Sequence, residues 1–208
     1  MFAGQFFPEF MPGRHVFEPM DPPRGWGRFA AFDYGFDMLA LLLLAVDYNG
    51  GVWVLREVCR PNLSLGEAGR VIADVLSGEK VEYAVASPDL WNRRQDTGRS
   101  GVEILSVVAG MPPLRRADDR RIPDWRVLRE YLREDAPAAL HISSACPTLI
   151  HSLSSLRFDP LRIEDAADHP HDITHAPEAL RYAVMSRPVA PASEDLLLLP
   201  RRQRGYWI

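Results

Sequence analysis

The sequence predicts a mixed α/β fold, a sheet that opens as an antiparallel meander, gains parallel strands and carries helices packed on it. Three observations predict it. Strand-like segments follow one another over Arg28 to Phe36, Met38 to Tyr48 and Gly51 to Val58, and Asn49-Gly50-Gly51 makes a strong hairpin turn between the last two. The hydrophobic period then changes to that of a helix. After the helix a short apolar run, Tyr83 to Ala86, ends in Ser87-Pro88-Asp89 and reads as a strand returning parallel to an earlier one.

The remaining elements follow in order. Residues 1–27 are rich in Phe, Pro and Gly, show no sustained period, and read as an extended arm or the end of a linker. From Ser64 to Leu76, the residues Leu65, Ala68, Val71, Ile72, Val75 and Leu76 share one helical face. Ser64 and Glu67 have capping-box spacing at its start, and Gly78 ends it. Further helices are expected over about Asp124 to Arg133, Pro147 to Leu156 and Pro177 to Met185, with a short strand over Ala139 to Ile142. The body therefore spans 28–187, and 188–208 is a tail whose Leu196–Leu199 and Arg201-Arg202-Gln203-Arg204 suggest a docking segment or a frayed end.

Composition narrows the function classes. The 208 residues are 47% hydrophobic and 25% charged, which fits a globular domain and excludes a disordered or fibrous chain. A net charge of -4 excludes a uniformly basic nucleic-acid coat, so a polyanionic partner must meet a local patch. Cys59 and Cys146 are too few for a disulfide scaffold or a cysteine zinc site, and a reducing, cytoplasmic setting fits them best. The longest apolar run, Met38 to Val46, has nine residues and suits a buried strand rather than a membrane span. The N-terminus lacks a signal-peptide pattern, and no Gly-x-x-x-x-Gly-Lys-Ser/Thr loop occurs, so this chain by itself is not a P-loop motor.

The candidate site residues are acids at strand ends. Asp33 lies inside the apolar segment Phe29-Ala-Ala-Phe-Asp-Tyr-Gly-Phe, where an unpartnered carboxylate is costly, and Gly35 permits close approach of a ligand or backbone. Read alone, Asp33 is equally a turn cap. Asp89 follows the next strand, the position where α/β folds bind ligands, although by itself it reads as a helix cap. A third cluster holds Glu164, Asp165, Asp168, Asp172 and Glu178, interleaved with His169, His171 and His175. Without a His-Glu-x-x-His helix or a nearby cysteine, zinc is the weaker reading, and an oxygen-rich set suits Mg²⁺ or Mn²⁺. Carboxylates gathered from separate elements repel unless cations bind between them, and two such ions can support phosphodiester hydrolysis.

The residues also carry a resemblance. In order along the chain stand Gly4-Gln-Phe-Phe, His15-Val, Trp26-Gly-Arg-Phe, Phe32-Asp33-Tyr34-Gly35, Arg56-Glu57 and Ala86-Ser-Pro-Asp89-Leu-Trp91. Thr97-Gly98, Arg121-Ile122, Trp125, Leu128-Arg-Glu-Tyr-Leu132, Cys146-Pro-Thr-Leu-Ile150 and His175-Ala-Pro-Glu178-Ala-Leu-Arg181-Tyr182 follow. Over about residues 3–187 this ordered set resembles the nuclease part of the large terminase subunit of tailed bacteriophages, which packages and cuts concatemeric DNA. The resemblance implies a ribonuclease H-like mixed sheet flanked by helices, and a two-metal endonuclease using two Mg²⁺ or Mn²⁺ ions held by three acids. Asp33 and Asp89 match the first two. The family ends in His-x-x-Asp-Ala-x-Arg-Tyr, which puts the third acid at Glu178, while His169-x-x-Asp172 is a second match; both Asp172 and Glu178 stay open, with His175 as an auxiliary. Pro177 is expected at the first helical position, which would hold Glu178 in the first turn. Glu57 reads as a surface acid or a strand pair.

For DNA, Arg115 to Arg133 contains seven arginines against four acids. Arg115, Arg116, Arg120 and Arg121 in the Pro-flanked loop are the better phosphate contacts, while Arg129 and Arg133 read as a solvated helix face. Arg93, Arg94 and Arg99, just after Asp89, are further candidates to hold the substrate strand. Trp91 and Trp125 read as core. The expected function is a phage-encoded endonuclease in the host cytoplasm, acting on double-stranded DNA. The resemblance implies a packaging ATPase domain or subunit, a small terminase subunit and a portal as partners, and no membrane. The rivals are an inactive prophage-derived DNA- or portal-docking module and another ribonuclease H-like enzyme, such as a resolvase or transposase.

Overall fold

The computed structural model describes residues 4–35, 37–93, 95, 98–137 and 139–192. Arg94, Thr97 and the tail segment 193–208, with Leu196–Leu199 and Arg201–Arg204, lie outside the described residues. The meander forms as the sequence predicts. Strands β2 (Gly27–Tyr34), β3 (Met38–Val46) and β4 (Val52–Pro61) pair antiparallel in sequence order. Strand β3 is apolar throughout because both of its faces are covered. Leu39, Leu41 and Leu43 face one core, and Ala40, Leu42, Leu44 and Val46 face the other.

The helix after the meander, α2 (Leu65–Val75), packs its apolar stripe on the first of these faces. Its capping box is complete: Ser64 Oγ accepts from the Glu67 amide, and the Glu67 carboxylate accepts from the Ser64 amide at 2.9 Å. Strand β5 (Val81–Ala86) then returns parallel to β2, as expected. The opposite face is covered by the last helix, α6 (His175–Ser186), which is buried over nearly its whole length against β2 and β3.

Two elements between these are too short to show a period. Helix α3 (Gly101–Leu105) has its own capping box between Ser100 and Glu103. Strand β6 (Leu114–Arg116) adds parallel to β5 and puts Arg115 and Arg116 in a strand rather than a loop. Helix α4 (Arg121–Tyr131), strand β7 (Leu140–Ser143) and helix α5 (Pro147–Ser155) follow. Strand β7 pairs parallel with β4.

The N-terminal segment is part of the body rather than a free arm. A short helix, α1 (Pro12–His15), leads into strand β1 (Val16–Phe17), which pairs parallel with β7. The sheet order is therefore β1-β7-β4-β3-β2-β5-β6. Phe6, Phe7 and Phe10 are buried in the core under α6. The rings of Phe6 and Phe7 meet Trp125 edge-on, with centroids 5.6 and 5.8 Å away. Each such ring contributes about 1.5–3 kcal/mol of burial. No sequence period announces them, because each phenylalanine fills a separate gap in a surface made by other elements.

Candidate active site

The site is built at the carboxyl ends of β2 and β5, which are adjacent and parallel. Asp33 stands one residue from the end of β2, and Asp89 lies in the 3₁₀ turn Pro88–Trp91 just past β5. This is where open α/β sheets present ligands. Asp89 is exposed, with one carboxylate oxygen held by the Ser87 hydroxyl. It lines a cleft of about 390 Å³ together with Tyr34, Gly35, Asn92 and Arg93.

Asp33 is largely buried and partnered. Its Oδ2 accepts a hydrogen bond at 2.7 Å from Nδ1 of His175, the first residue of α6. That bond raises the imidazole pKa above its ordinary value, against the opposing effect of burial. The other ring nitrogen, Nε2, faces Asp37 Oδ1 at 3.3 Å. Gly35 makes this convergence possible. A Cβ built there would lie 2.7 Å from His175 Cε1 and 2.9 Å from Asp37 Oδ1, inside contact distance. The close approach expected at Gly35 is thus made by a side chain.

Glu178 sits one turn further along α6 in a different environment. It is buried, with Arg181 donating to it at 2.8 Å and Arg121 donating to its other oxygen. Arg121 also binds Asp165 at 2.7 Å and Asp168 at 2.7 Å, while Arg181 reaches Asp124 at 3.0 Å. Burial pushes the Glu178 pKa up, the two guanidinium groups pull it down, and the charge of Asp33 adds to the upward push. Helix α6 begins at His175, so Pro177 is its third residue rather than its first. The proline still costs no bond there, since the first four helical amides have no intrahelical partner. Asp172, the alternative third acid, is exposed in the 3₁₀ turn His171–Ile173 that precedes α6.

The arginines singled out for DNA divide in the same way. Arg93 is exposed in the cleft beside Asp89. Arg115 and Arg116 are exposed, and Arg116 pairs in register with Ala86 at the end of β5, on the same sheet edge as Asp33 and Asp89. The Arg115 guanidinium stacks 3.5 Å over the Tyr83 ring. Arg120 is paired with Asp118 at 2.7 Å, and Arg99 donates to the Glu103 carbonyl. Arg121 is committed to three carboxylates, so it is an internal ion-pair residue here.

Sequence reasoning missed Asp37 and passed over His171, both beside His175. The available signal was the Asp33-x-Gly35-x-Asp37 spacing, which brings two carboxylates around one turn. It also missed the role of Glu57. From β4 its carboxylate accepts the Thr148 and Leu149 amides at 2.6 and 2.8 Å, capping α5 from another element.

This seven-stranded mixed sheet, with acids at the ends of the adjacent parallel strands β2 and β5 and helices on both faces, is the fold of solved large-terminase nuclease domains. The P22 large terminase nuclease domain superposes with a TM-score of 0.71 at 14% identity, over 93% of this chain and 97% of that one. The large terminase nuclease of thermophilic phage G20c, solved with bound magnesium, gives 0.60 at 11% identity, over 89% of this chain and 98% of that one. The large terminase of a second thermophilic bacteriophage, solved in complex with ADP, gives 0.72 at 15% identity over 89% of this chain. This chain spans about 45% of the length of that protein. No family model and no curated protein matches the sequence. Among the described residues no helix is long and apolar enough to cross a membrane.

Proposed function

We propose that this chain is a divalent-metal-dependent endonuclease domain that cuts double-stranded DNA during phage genome packaging. The observation that carries the reading is the placement of Asp33 and Asp89 at the carboxyl ends of two adjacent parallel strands, within a terminase nuclease fold. The donor set fits hard cations. Asp89 is an exposed carboxylate on a cleft, and Asp33 is a nearly buried one with an uncharged ring as its partner when His175 is neutral. Bound Mg²⁺ or Mn²⁺, two ions in the full reading, would supply Lewis-acid stabilisation of charge on the scissile phosphate and lower the pKa of water.

The chain's own residues do the rest. Asp33 is oriented by His175, which fixes which of its oxygens is free. Asp89 is oriented by Ser87. Arg93 in the cleft and Arg116 at the strand edge meet the phosphate backbone without reading sequence. Arg99 and Arg115 flank them, while Arg120 is held back by Asp118. Of the two candidates for a third acid, exposure favours Asp172, since Glu178 already neutralises two guanidinium groups. By the same reading, translocation belongs to an ATPase on another polypeptide or on the remainder of a longer chain. A small terminase subunit and a portal are the assembly partners, the setting is the host cytoplasm, and no membrane is involved.

The test is cleavage of supercoiled plasmid with Mn²⁺. Asp33→Ala and Asp89→Ala are expected to abolish cutting while keeping the circular-dichroism spectrum of the parent. Undiminished cutting by either variant sinks the assignment. The engagement of Glu178 by Arg121 and Arg181 is what favours the rival reading, a docking module without catalysis. Parent protein that retains DNA binding but never cuts, at any Mg²⁺ or Mn²⁺ concentration, would establish that rival.

A further inference from the structure

At the end of the sheet away from Asp33 and Asp89, Arg24, Trp26, Arg28, Gly78 and Lys80 line a cleft of about 370 Å³. Arg28 and Asp33 both lie on β2, separated by about 17 Å of strand. Among the described residues that line the cleft none is an acid. Glu79 stands beside it and is shared between two guanidinium groups, Arg28 at 2.5 Å and Arg56 at 3.2 Å. Arg24 and Lys80 are exposed, and among the described residues neither side chain has an ion-pair or hydrogen-bond partner. The carboxyl end of α2 accounts for Arg56, which donates to the Val75 carbonyl at 3.4 Å. It does not account for Arg24, which arrives from the segment before β2. Like charges converging on one cleft repel until an anion enters.

We propose that this cleft binds a nucleotide, with its phosphates on Arg24, Arg28 and Lys80 and its base against Trp26. The indole packs at a tilt on Trp53, with ring centroids 5.0 Å apart, and is itself only half-buried. A ring fixed from behind and open in front is a stacking platform for any base. Guanidinium forks and an ammonium suit phosphate oxygens, and Arg28 is already aimed by its bond to Glu79. The size is that of a small-molecule site, since such clefts measure about 300–1,000 Å³, and it is too small for a duplex. A free nucleotide and the phosphorylated end of a single strand present the same chemistry, phosphates beside one base. The site requires neither Asp33 nor Asp89, so it stands apart from the cleavage reading.

Lys80 is the only lysine in the sequence, which makes it a clean footprint. The full chain, acetylated under limiting reagent and read by mass spectrometry, should modify Lys80 about fivefold more slowly with saturating ADP than with sodium chloride of equal ionic strength. Calorimetry supplies the affinities. Arg24→Ala and Lys80→Ala, both exposed and unpartnered, should each weaken ADP about tenfold. Arg70→Ala, an exposed arginine of α2 outside the cleft, should change it less than about twofold. Stacking should make ADP bind at least about tenfold tighter than pyrophosphate in the parent, and Trp26→Leu should erase that preference. If Trp26→Leu melts at a lower temperature than the parent, the preference in the parent decides this point. A 5′-phosphorylated single-stranded oligonucleotide is the second arm: stronger protection of Lys80 by the oligonucleotide assigns the strand as the source, and stronger protection by ADP assigns the free nucleotide. Lys80 left unprotected by both, losses in Arg24→Ala no larger than in Arg70→Ala, or pyrophosphate bound as tightly as ADP overturns the site.

Discussion

Two consecutive turns of α6 meet the rest of the molecule in opposite ways. His175 opens toward Asp33 and Asp37, where no guanidinium group among the described residues is paired with either acid. Glu178, three residues on, is closed between Arg121 and Arg181. Both side chains are buried, both come from one helix, and both read from sequence as site residues. Their difference lies in what neutralises the charge. A carboxylate already matched by two guanidinium groups contributes to the integrity of the fold, and one matched only by an imidazole retains capacity for a cation.

The sharpest way to break this comparison is to remove Arg181. Its guanidinium is buried against Glu178 and Asp124, so Arg181→Ala leaves Asp124 buried without its ion-pair partner and Glu178 with Arg121 alone. A loss of about 3–5 kcal/mol is expected, the cost of breaking a buried pair from one side. Chemical denaturation measures it, and an unchanged midpoint would mean that this end of α6 is not structural. Helix α5 provides a smaller version of the same effect. Glu57→Ala removes its cap and should cost about 1 kcal/mol, in the range of cap deletions. The open end should behave otherwise. Asp172→Asn, on an exposed turn, is expected to move stability by less than about 0.5 kcal/mol while lowering plasmid cleavage. Glu178→Gln should do the reverse and lose stability first. Equal effects of the two on cleavage with none on stability would erase the distinction.

The same contrast explains what is legible in the sequence. The meander is, because Asn49-Gly50-Gly51 and an apolar run buried on both faces are local signals. The placement of Asp33 and Asp89 at strand ends is, because the apolar runs before them mark the two strands, although each acid read alone is equally or more readily a cap. The state of Glu178 is not. Its partner Arg121 lies 57 positions earlier, and nothing local tells a guanidinium that faces DNA from one that faces three internal acids. Phe6 and Phe7 read as an arm for a related reason: their pockets are assembled by α4 and the segment near Phe158. Asp37 escapes notice because an acid in a tight turn is ordinary until the fold brings a histidine to it.

Two buried histidines give the smallest of these effects. Where Asp33 raises the pKa of His175, no carboxylate faces His15 among its described partners. His15 is 2% exposed, its Nδ1 accepts from the Met11 amide at 2.9 Å, and burial lowers its pKa, with the nearby Arg14 charge adding to the fall. A histidine whose folded pKa is depressed binds fewer protons in the folded state than in the unfolded one. Unfolding is then linked to proton uptake, and stability rises with pH. The contribution of His15 is complete above the ordinary histidine pKa of about 6.5 and is lost as pH falls toward its folded value. His141, half-buried against Trp53 and also lowered by burial, acts with the same sign. Between about pH 7.5 and about pH 5 the midpoint of His15→Asn should fall less steeply, or rise more, than that of the parent; the slope left in the variant combines His141, which acts with the sign of His15, and His175, whose raised pKa acts with the opposite sign. A profile for His15→Asn parallel to that of the parent would show that this histidine gains a proton on the folded chain as easily as in water, and would overturn the assignment.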